Sequence, residues 1–246
     1  MSLVFYSDNA FSQISDPDGY EPPFDTTGLM RAEIFALTGI GSNLMPGQPD
    51  SVVIGSPSMV PGTPYASFAN NASIANLDLG MPDSDQQTWL LVWNPAGSSL
   101  QRLIMSSYGS SGGSSLLFDE FGKLSAAIGY KTISTGATAV KYGVLSQALP
   151  AGVSFLSLVM NGKTFTTKNH TYNNAATVTL TSDQQLNPGV SIHVGKGATS
   201  LWGQAAATNQ IAAYMVFNRV LSDSEIETIR QYLLSNIQGV YPDITF

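Results

Sequence analysis

The sequence predicts an all-β sandwich closed by one short C-terminal helix, and three observations lead there. Gly, Ser, Thr, Asn and Ala are abundant, while charged residues make up only 11% of the chain, a composition suited to sandwiches. Apolar runs are short and separated by Gly/Pro/Asn clusters, the spacing of strands and turns. Residues 210–226 then join an apolar run, Ile211-Ala-Ala-Tyr-Met-Val-Phe217, to a polar turn and a helix start. With 246 residues the chain can be one large sandwich with an ample core and no need of a covalent staple.

Taken in order, residues 1–28 carry Ser15-Asp-Pro-Asp-Gly-Tyr-Glu-Pro-Pro23 and little periodicity, so they read as an extended arm, with the sandwich domain spanning 29–246. Arg31-Ala-Glu-Ile-Phe-Ala-Leu37 fits a strand and equally a short helix, and Ser51-Val-Val-Ile-Gly55 is a clearer strand. Pro57, Pro61 and Pro64 mark a rigid connection. Tyr65-Ala-Ser-Phe68 and Ser73-Ile-Ala-Asn-Leu-Asp-Leu79 read as a strand pair leading to Thr88-Trp-Leu-Leu-Val-Trp93, which is apolar on both faces and therefore a core strand. Arg102-Leu-Ile-Met-Ser-Ser107, Ser115-Leu-Leu-Phe118 with Gly122-Lys-Leu124, and Val190-Ser-Ile-His-Val-Gly195 follow as strands. Tyr108-Gly-Ser-Ser-Gly-Gly-Ser-Ser115 is a hairpin loop. After the Asn218-Arg219 turn, Ser222 and Glu225 form a capping box, each satisfying the other's orphan N–H. Ile226, Ile229, Leu233 and Ile237 recur at helical spacing, so the helix, expected near 223–236, must dock one apolar face.

The run Asn218-Arg-Val-Leu-Ser-Asp-Ser-Glu-Ile226, with the strand before it and the helix after it, resembles the C-terminal hallmark of the laminin-G-like branch of the concanavalin A-like lectins and glucanases. The match covers about 25 residues; the upstream strands agree only in pattern. The resemblance implies a two-sheet antiparallel jelly roll with a glycan-facing surface. Between about residues 50 and 135, Val53-Ile-Gly-Ser-Pro57, the Tyr65–Phe68 strand and the two strands from Thr88 and Arg102 are also similar to lectin-like proteins of tailed phages and prophages. That likeness implies a virion surface protein.

Composition and charge exclude several chemistries. No cysteine is present, so disulfides, thiolate metal ligands and thiol nucleophiles are excluded. Met1-Ser-Leu-Val-Phe-Tyr-Ser-Asp8 has neither the basic start nor the apolar run of a secretory signal, so folding in a cytoplasm is expected. Formal net charge is −7, and the ten Lys and Arg are scattered singly, which argues against nucleic acid and against membrane-surface binding.

Each chemical constellation also has a plainer reading. Gly109-Ser-Ser111-Gly-Gly113 satisfies G-x-S-x-G, yet a strand rather than a helix follows, so the nucleophile elbow has no context. Glucanases of the resembling superfamily place alternate carboxylates on one strand, about 5 Å apart, and this sequence has no such run. Asp119 and Glu120 are adjacent and so point to opposite faces. Asp223, Glu225 and Glu227 sit where they stabilise the positive end of the helix dipole. No cofactor is expected; calcium has candidate ligands at Asp16, Asp18 and Glu21, or at Asp78, Asp83 and Asp85, but turn chemistry explains both groups. His170 reads as a surface loop residue and His193 as a strand-face residue opposite Ile192 and Val194.

Sugar rings stack on aromatic faces, which gives the tryptophans weight. Trp89 and Trp93 belong to the core strand, whereas Trp202 lies in a Gly-flanked loop. A glycan site is therefore expected at Trp202, Tyr108, His170 and Tyr172, with Asn173 and Asp119 as hydroxyl partners. Three functions compete: a non-enzymatic lectin-like module of a phage virion, as tail fibre, receptor-binding tip or capsid decoration; a polysaccharide-degrading enzyme on the same sandwich; and a purely architectural subunit. The first implies a host cell-surface glycan, other virion proteins and further copies of the chain, a trimer favoured, as partners.

Overall fold

The computed structural model describes residues 22–69, 75–96, 101–110, 112–119, 121–148, 152–196 and 207–246. Strand β1 (Leu29–Ile34) runs into a four-residue helix, α1 (Phe35–Thr38), so residues 31–37 are strand and helix in succession. Then come β2 (Val52–Ile54), β3 (Ser58–Met59), β4 (Ala66–Ala69), β5 (Asn76–Pro82), β6 (Gln86–Asn94) and β7 (Arg102–Ser106). They are followed by β8 (Ser114–Phe118), β9 (Leu124–Lys131), β10 (Thr138–Val144), β11 (Ser154–Asn161) and β12 (Thr164–Asn169). The chain closes with β13 (Asn174–Thr179), β14 (Ser191–Val194), β15 (Thr208–Phe217) and helix α2 (Asp223–Gln238).

The strands form two antiparallel sheets. One, of eight strands, runs β13-β12-β11-β6-β15-β4-β3, with β1 also on β15; the other, of seven, runs β10-β9-β8-β7-β14-β5-β2. β15 is long enough to take two partners on one edge: Gln210 and Ile211 pair with Ser67 and Ala66 of β4, while Ala213–Phe217 pair with β1. The expected pairing of residues 65–68 with 73–79 is corrected here, because β4 and β5 lie in different sheets. Phe68, Leu77 and Leu79 share the core between the sheets, so these segments meet across the sandwich through side chains rather than through backbone hydrogen bonds.

β6 is apolar on both faces because it separates two cores. Trp89, Leu91 and Trp93 point between the sheets, and Leu90 and Val92 point outward beneath α2. Both tryptophans are fully buried, with indole N–H groups donated to Gln87 (2.9 Å) and Asn209 (3.0 Å). Asn209 also donates to the carbonyls of Leu103 and Gly195, joining the two sheets through one amide. Gly195 is at φ +90°, and a Cβ there would stand 2.4 Å from the Phe68 ring, so only glycine fits.

Helix α2 has the capping box expected at Ser222 and Glu225, and Ile226, Ile229, Leu233 and Ile237 are all buried against the outer face of the eight-stranded sheet. The preceding turn is pinned by Thr88, whose hydroxyl donates to the Arg219 carbonyl and accepts from the Leu221 N–H. Arg219 in turn pairs with Glu225 (2.6 Å) and Asp25 (3.2 Å), and Phe24 meets Tyr232 edge-on at 5.2 Å. Residues 22–28 are thus fastened to the helix.

A buried polar knot lies beneath β1. Glu33 accepts from the Tyr214 hydroxyl (2.6 Å), the Ser51 hydroxyl (2.9 Å) and the Gly41 N–H (2.9 Å), which ties the loop before β2 to β1 and β15. Desolvation outweighs these bonds and pushes the Glu33 carboxyl up to about 7. No helix among the described residues is long and apolar enough to cross a membrane.

Candidate functional site

The β12–β13 hairpin ends in a tip sewn to β11 by Phe155. The Phe155 carbonyl accepts from the His170 N–H (2.9 Å), and the Phe155 N–H donates to the Thr171 hydroxyl (2.9 Å), continuing the ladder beyond the last strand pair. Asn173 closes the turn at φ +47°, a conformation that asparagine tolerates because its short side chain competes well in turns. Asn169 braces the tip from within, donating to Ser154 (3.2 Å) and accepting from the Tyr172 N–H (3.4 Å).

Against this tip lies the segment that follows α2. It folds back along the helix: Tyr241 N–H reaches the Ile237 carbonyl, Gln238 donates to the Ile244 carbonyl, and Arg230 donates to the Phe246 carbonyl. Phe246 enters the second core, 6.2 Å from Phe155, while the Phe155 ring also meets His170 at 5.2 Å. A cleft of about 440 Å³ is left between tip and tail, within the range of small-ligand sites. Gly152, Val153, Thr171 and Tyr172 form one wall, and Asp243, Ile244, Thr245 and Phe246 the other.

The cleft combines an aromatic face with unengaged polar groups. Tyr172 is 39% exposed, and Asp243 and Thr245 are exposed. Their side-chain oxygens have no hydrogen-bond or ion-pair partner among the described residues. His170 sits behind the wall, with Nε2 at 2.8 Å from the Ser157 hydroxyl. Burial first, then the nearby Lys168 charge, lowers its pKa to about 4, so the imidazole is neutral near pH 7.

Of the residues expected to bind glycan, His170, Tyr172 and Asn173 stand together at this tip. Asp119 closes the β8–β9 turn, its carboxylate accepting from the N–H groups of Phe121 (2.9 Å) and Lys123 (2.8 Å) and from Ser125. Tyr108 lies past β7, at the other end of β8 from Asp119, and is only 8% exposed, so it offers little face to a ligand. Trp202, Ser111 and Glu120, and the first calcium candidates Asp16, Asp18 and Glu21, lie outside the described residues. The second calcium group is dispersed into separate contacts: Asp78 accepts from Ser191 and Asp83 from Ser114, and no metal-sized cluster occurs among the described residues. His193 is 7% exposed and hydrogen-bonded to Asn76 (2.9 Å), because the outer face of the seven-stranded sheet is closed there; Ser106, Ser115 and Ala127 in the same register row are fully buried.

Asp243, Thr245 and Thr171 were not singled out by the sequence. The one available signal was Pro242, which stops the chain from continuing the helix and so turns it back.

No protein-family model matches the sequence, and no curated protein matches it. Solved structures do match. The binding domain of botulinum neurotoxin serotype D aligns with a TM-score of 0.56 at 9% identity, over 84% of this chain and 51% of that one. The binding domain of Paraclostridial Mosquitocidal Protein 1 gives 0.57 at 12%, over 84% and 52%. The binding domain of botulinum neurotoxin DC in complex with rat synaptotagmin II gives 0.57 at 10%, over 84% and 52%. The chain therefore spans about half the length of these structures, and at such identities the likeness is one of fold: two antiparallel sheets packed as a jelly-roll sandwich.

Proposed function

We propose that this chain is a non-enzymatic carbohydrate-binding module whose site is the cleft between the β12–β13 tip and the segment after α2. The observation that carries the reading is the exposed Tyr172 ring beside the unengaged Asp243 and Thr245 oxygens. A sugar presents apolar C–H faces and hydroxyl edges, and this wall offers a stacking surface for the first and acceptors for the second. Among the lining side chains Asp243 supplies the one carboxylate, whereas glycoside hydrolysis employs a pair of Asp/Glu side chains flanking the bond. His170, neutral and turned to Ser157, is a poor proton donor near pH 7. The matched toxin binding domains, one of them in complex with SialylT, lend the binding reading support by analogy of fold.

The finer reading places the module on a tailed-phage virion, as tail fibre, receptor-binding tip or capsid decoration, assembled in the host cytoplasm as a homo-oligomer. It rests on the sequence resemblance over residues 50–135 and on the cysteine-free, acidic composition. An antibody against the chain should decorate purified virions, and particles that stay unlabelled would remove that placement.

Incubation of the purified chain with cell-surface polysaccharides separates the functional classes. Retention without cleavage is expected, at roughly millimolar to micromolar affinity, or about −4 to −8 kcal/mol. Tyr172→Ala should weaken it at least tenfold with the circular dichroism spectrum unchanged. Depolymerisation would make the chain an enzyme, and neither retention nor cleavage would make it architectural. Trp202→Ala tests the second aromatic in the same assay.

A further inference from the structure

We infer that the cleft selects its sugar by charge, accepting neutral and amino-bearing residues and rejecting carboxylated ones, with Asp243 as the residue that sets this preference. The inference rests on the carbohydrate-binding reading above and narrows its ligand class.

The lining side chains carry one formal charge, the Asp243 carboxylate, and no cation; the terminal carboxyl group of Phe246, which Arg230 contacts, is negative as well. Two basic groups close enough to His170 to act on it, Arg230 and Lys168, are engaged elsewhere. Arg230 holds Glu227 at 2.7 Å and the Phe246 carbonyl from behind the tail, and Lys168 holds Asp223 at 3.1 Å at the start of α2. Neither lines the cleft. An incoming sugar carboxylate would therefore meet a carboxylate with no cation between them, and two ionised carboxylates share no proton with which to form a hydrogen bond. The net charge of −7 adds a repulsive field of the same sign at longer range.

A neutral sugar meets the opposite situation. Asp243 offers two acceptor oxygens to vicinal hydroxyls, Thr245 adds a hydroxyl that donates or accepts, and Tyr172 covers a ring face. An amino sugar gains further, because its ammonium forms a charge-assisted hydrogen bond with the carboxylate and can lie over the phenol ring. The expected order is thus amino, then neutral, then acidic.

The test is an array carrying matched neutral, amino and carboxylated versions of the same oligosaccharides, followed by titration of the best-bound matched set with the full chain and with Asp243→Asn. Because Asp243 is exposed and unpaired, the variant should fold; its melting curve verifies this. In the parent, acidic members should bind at least tenfold more weakly than their neutral counterparts, and amino members more tightly. The amino advantage should shrink as salt rises from 0.01 M to about 1 M, where the screening length falls to roughly 3 Å. In Asp243→Asn the acidic-to-neutral ratio should move toward one. Acidic members bound as well as neutral ones by the parent, or a ratio untouched by the substitution, would overturn the charge preference while leaving the carbohydrate reading in place. No binding to any member would overturn both.

Discussion

Glu33 shows how one buried residue writes a pH dependence into the whole fold. Its carboxyl has a folded value of about 7, against an ordinary 4.5, because burial disfavours the charged form more than its three hydrogen bonds favour it. A raised carboxyl stabilises the fold fully below the unfolded value, and the contribution is lost as pH rises through the folded one. Stability attributable to Glu33 should therefore fall between about pH 4.5 and 7, by on the order of 3 kcal/mol. His170 slopes the other way. Its depressed pKa contributes stability above about 6.5 that is lost as pH falls toward 4. Urea denaturation across pH 4.5–8 on the parent and on Glu33→Gln separates the two, since the His170 slope is common to both proteins. A parent-minus-variant difference that stays flat with pH would show that Glu33 does not titrate in this window. At Trp89, fully buried and hydrogen-bonded to Gln87, truncation to Ala should cost roughly 3–5 kcal/mol, read from the same denaturation curves.

Among the elements, α2 is the one whose energetics are simplest to read. Its four buried isoleucine and leucine side chains face Leu90, Val92, Met215 and Phe217, so Ile226→Asp and Leu233→Asp each place an unpaired charge in an apolar interface. Each should lower stability by several kcal/mol. Ser222→Ala removes a cap at an exposed helix end and should cost only about 1 kcal/mol. Thermal melts of the three variants provide the comparison, and aspartate variants melting like the parent would show the helix undocked. This element was legible because capping and period-3.6 patterning are local signals. The hairpin tip was legible only in part: His170, Tyr172 and Asn173 could be placed in a polar turn, but nothing local indicates that Phe246 packs beside Phe155, 91 positions earlier (246 − 155), and so sets the opposite wall of the cleft.

For the whole molecule, the arm expected at residues 1–28 is fastened over its last seven residues, through Phe24 on Tyr232 and Asp25 on Arg219. Removing residues 1–21 alone should leave these anchors, and with them a folded sandwich whose assembly is weakened if the arm reaches a neighbouring copy. Light scattering reports the assembly and far-ultraviolet circular dichroism the fold. A truncated chain that does not fold would assign those residues to the core, and unchanged assembly would remove them from the subunit contact.

The sequence by itself determined the all-β class, the strands at residues 51–55, 88–93, 102–107, 115–118, 190–195 and 211–217, the burial of Trp89 and Trp93 and the docked, capped C-terminal helix. Each of these is written in short-range order: alternation, periodicity, turn residues and caps. Strands β10 to β13, which include the hairpin of the cleft, were not read from the sequence. Only the tertiary structure decided that residues 65–68 and 76–82 belong to opposite sheets, that His193 and Tyr108 are covered, and that Tyr172 shares a cleft with Asp243 and Thr245. The physical reason is range. Which strands pair, and which loops meet at one end of a sandwich, depends on contacts between residues far apart in the chain, such as Asn209 with Leu103 or the Tyr214 hydroxyl with Glu33. Such contacts leave no periodic trace in either segment alone.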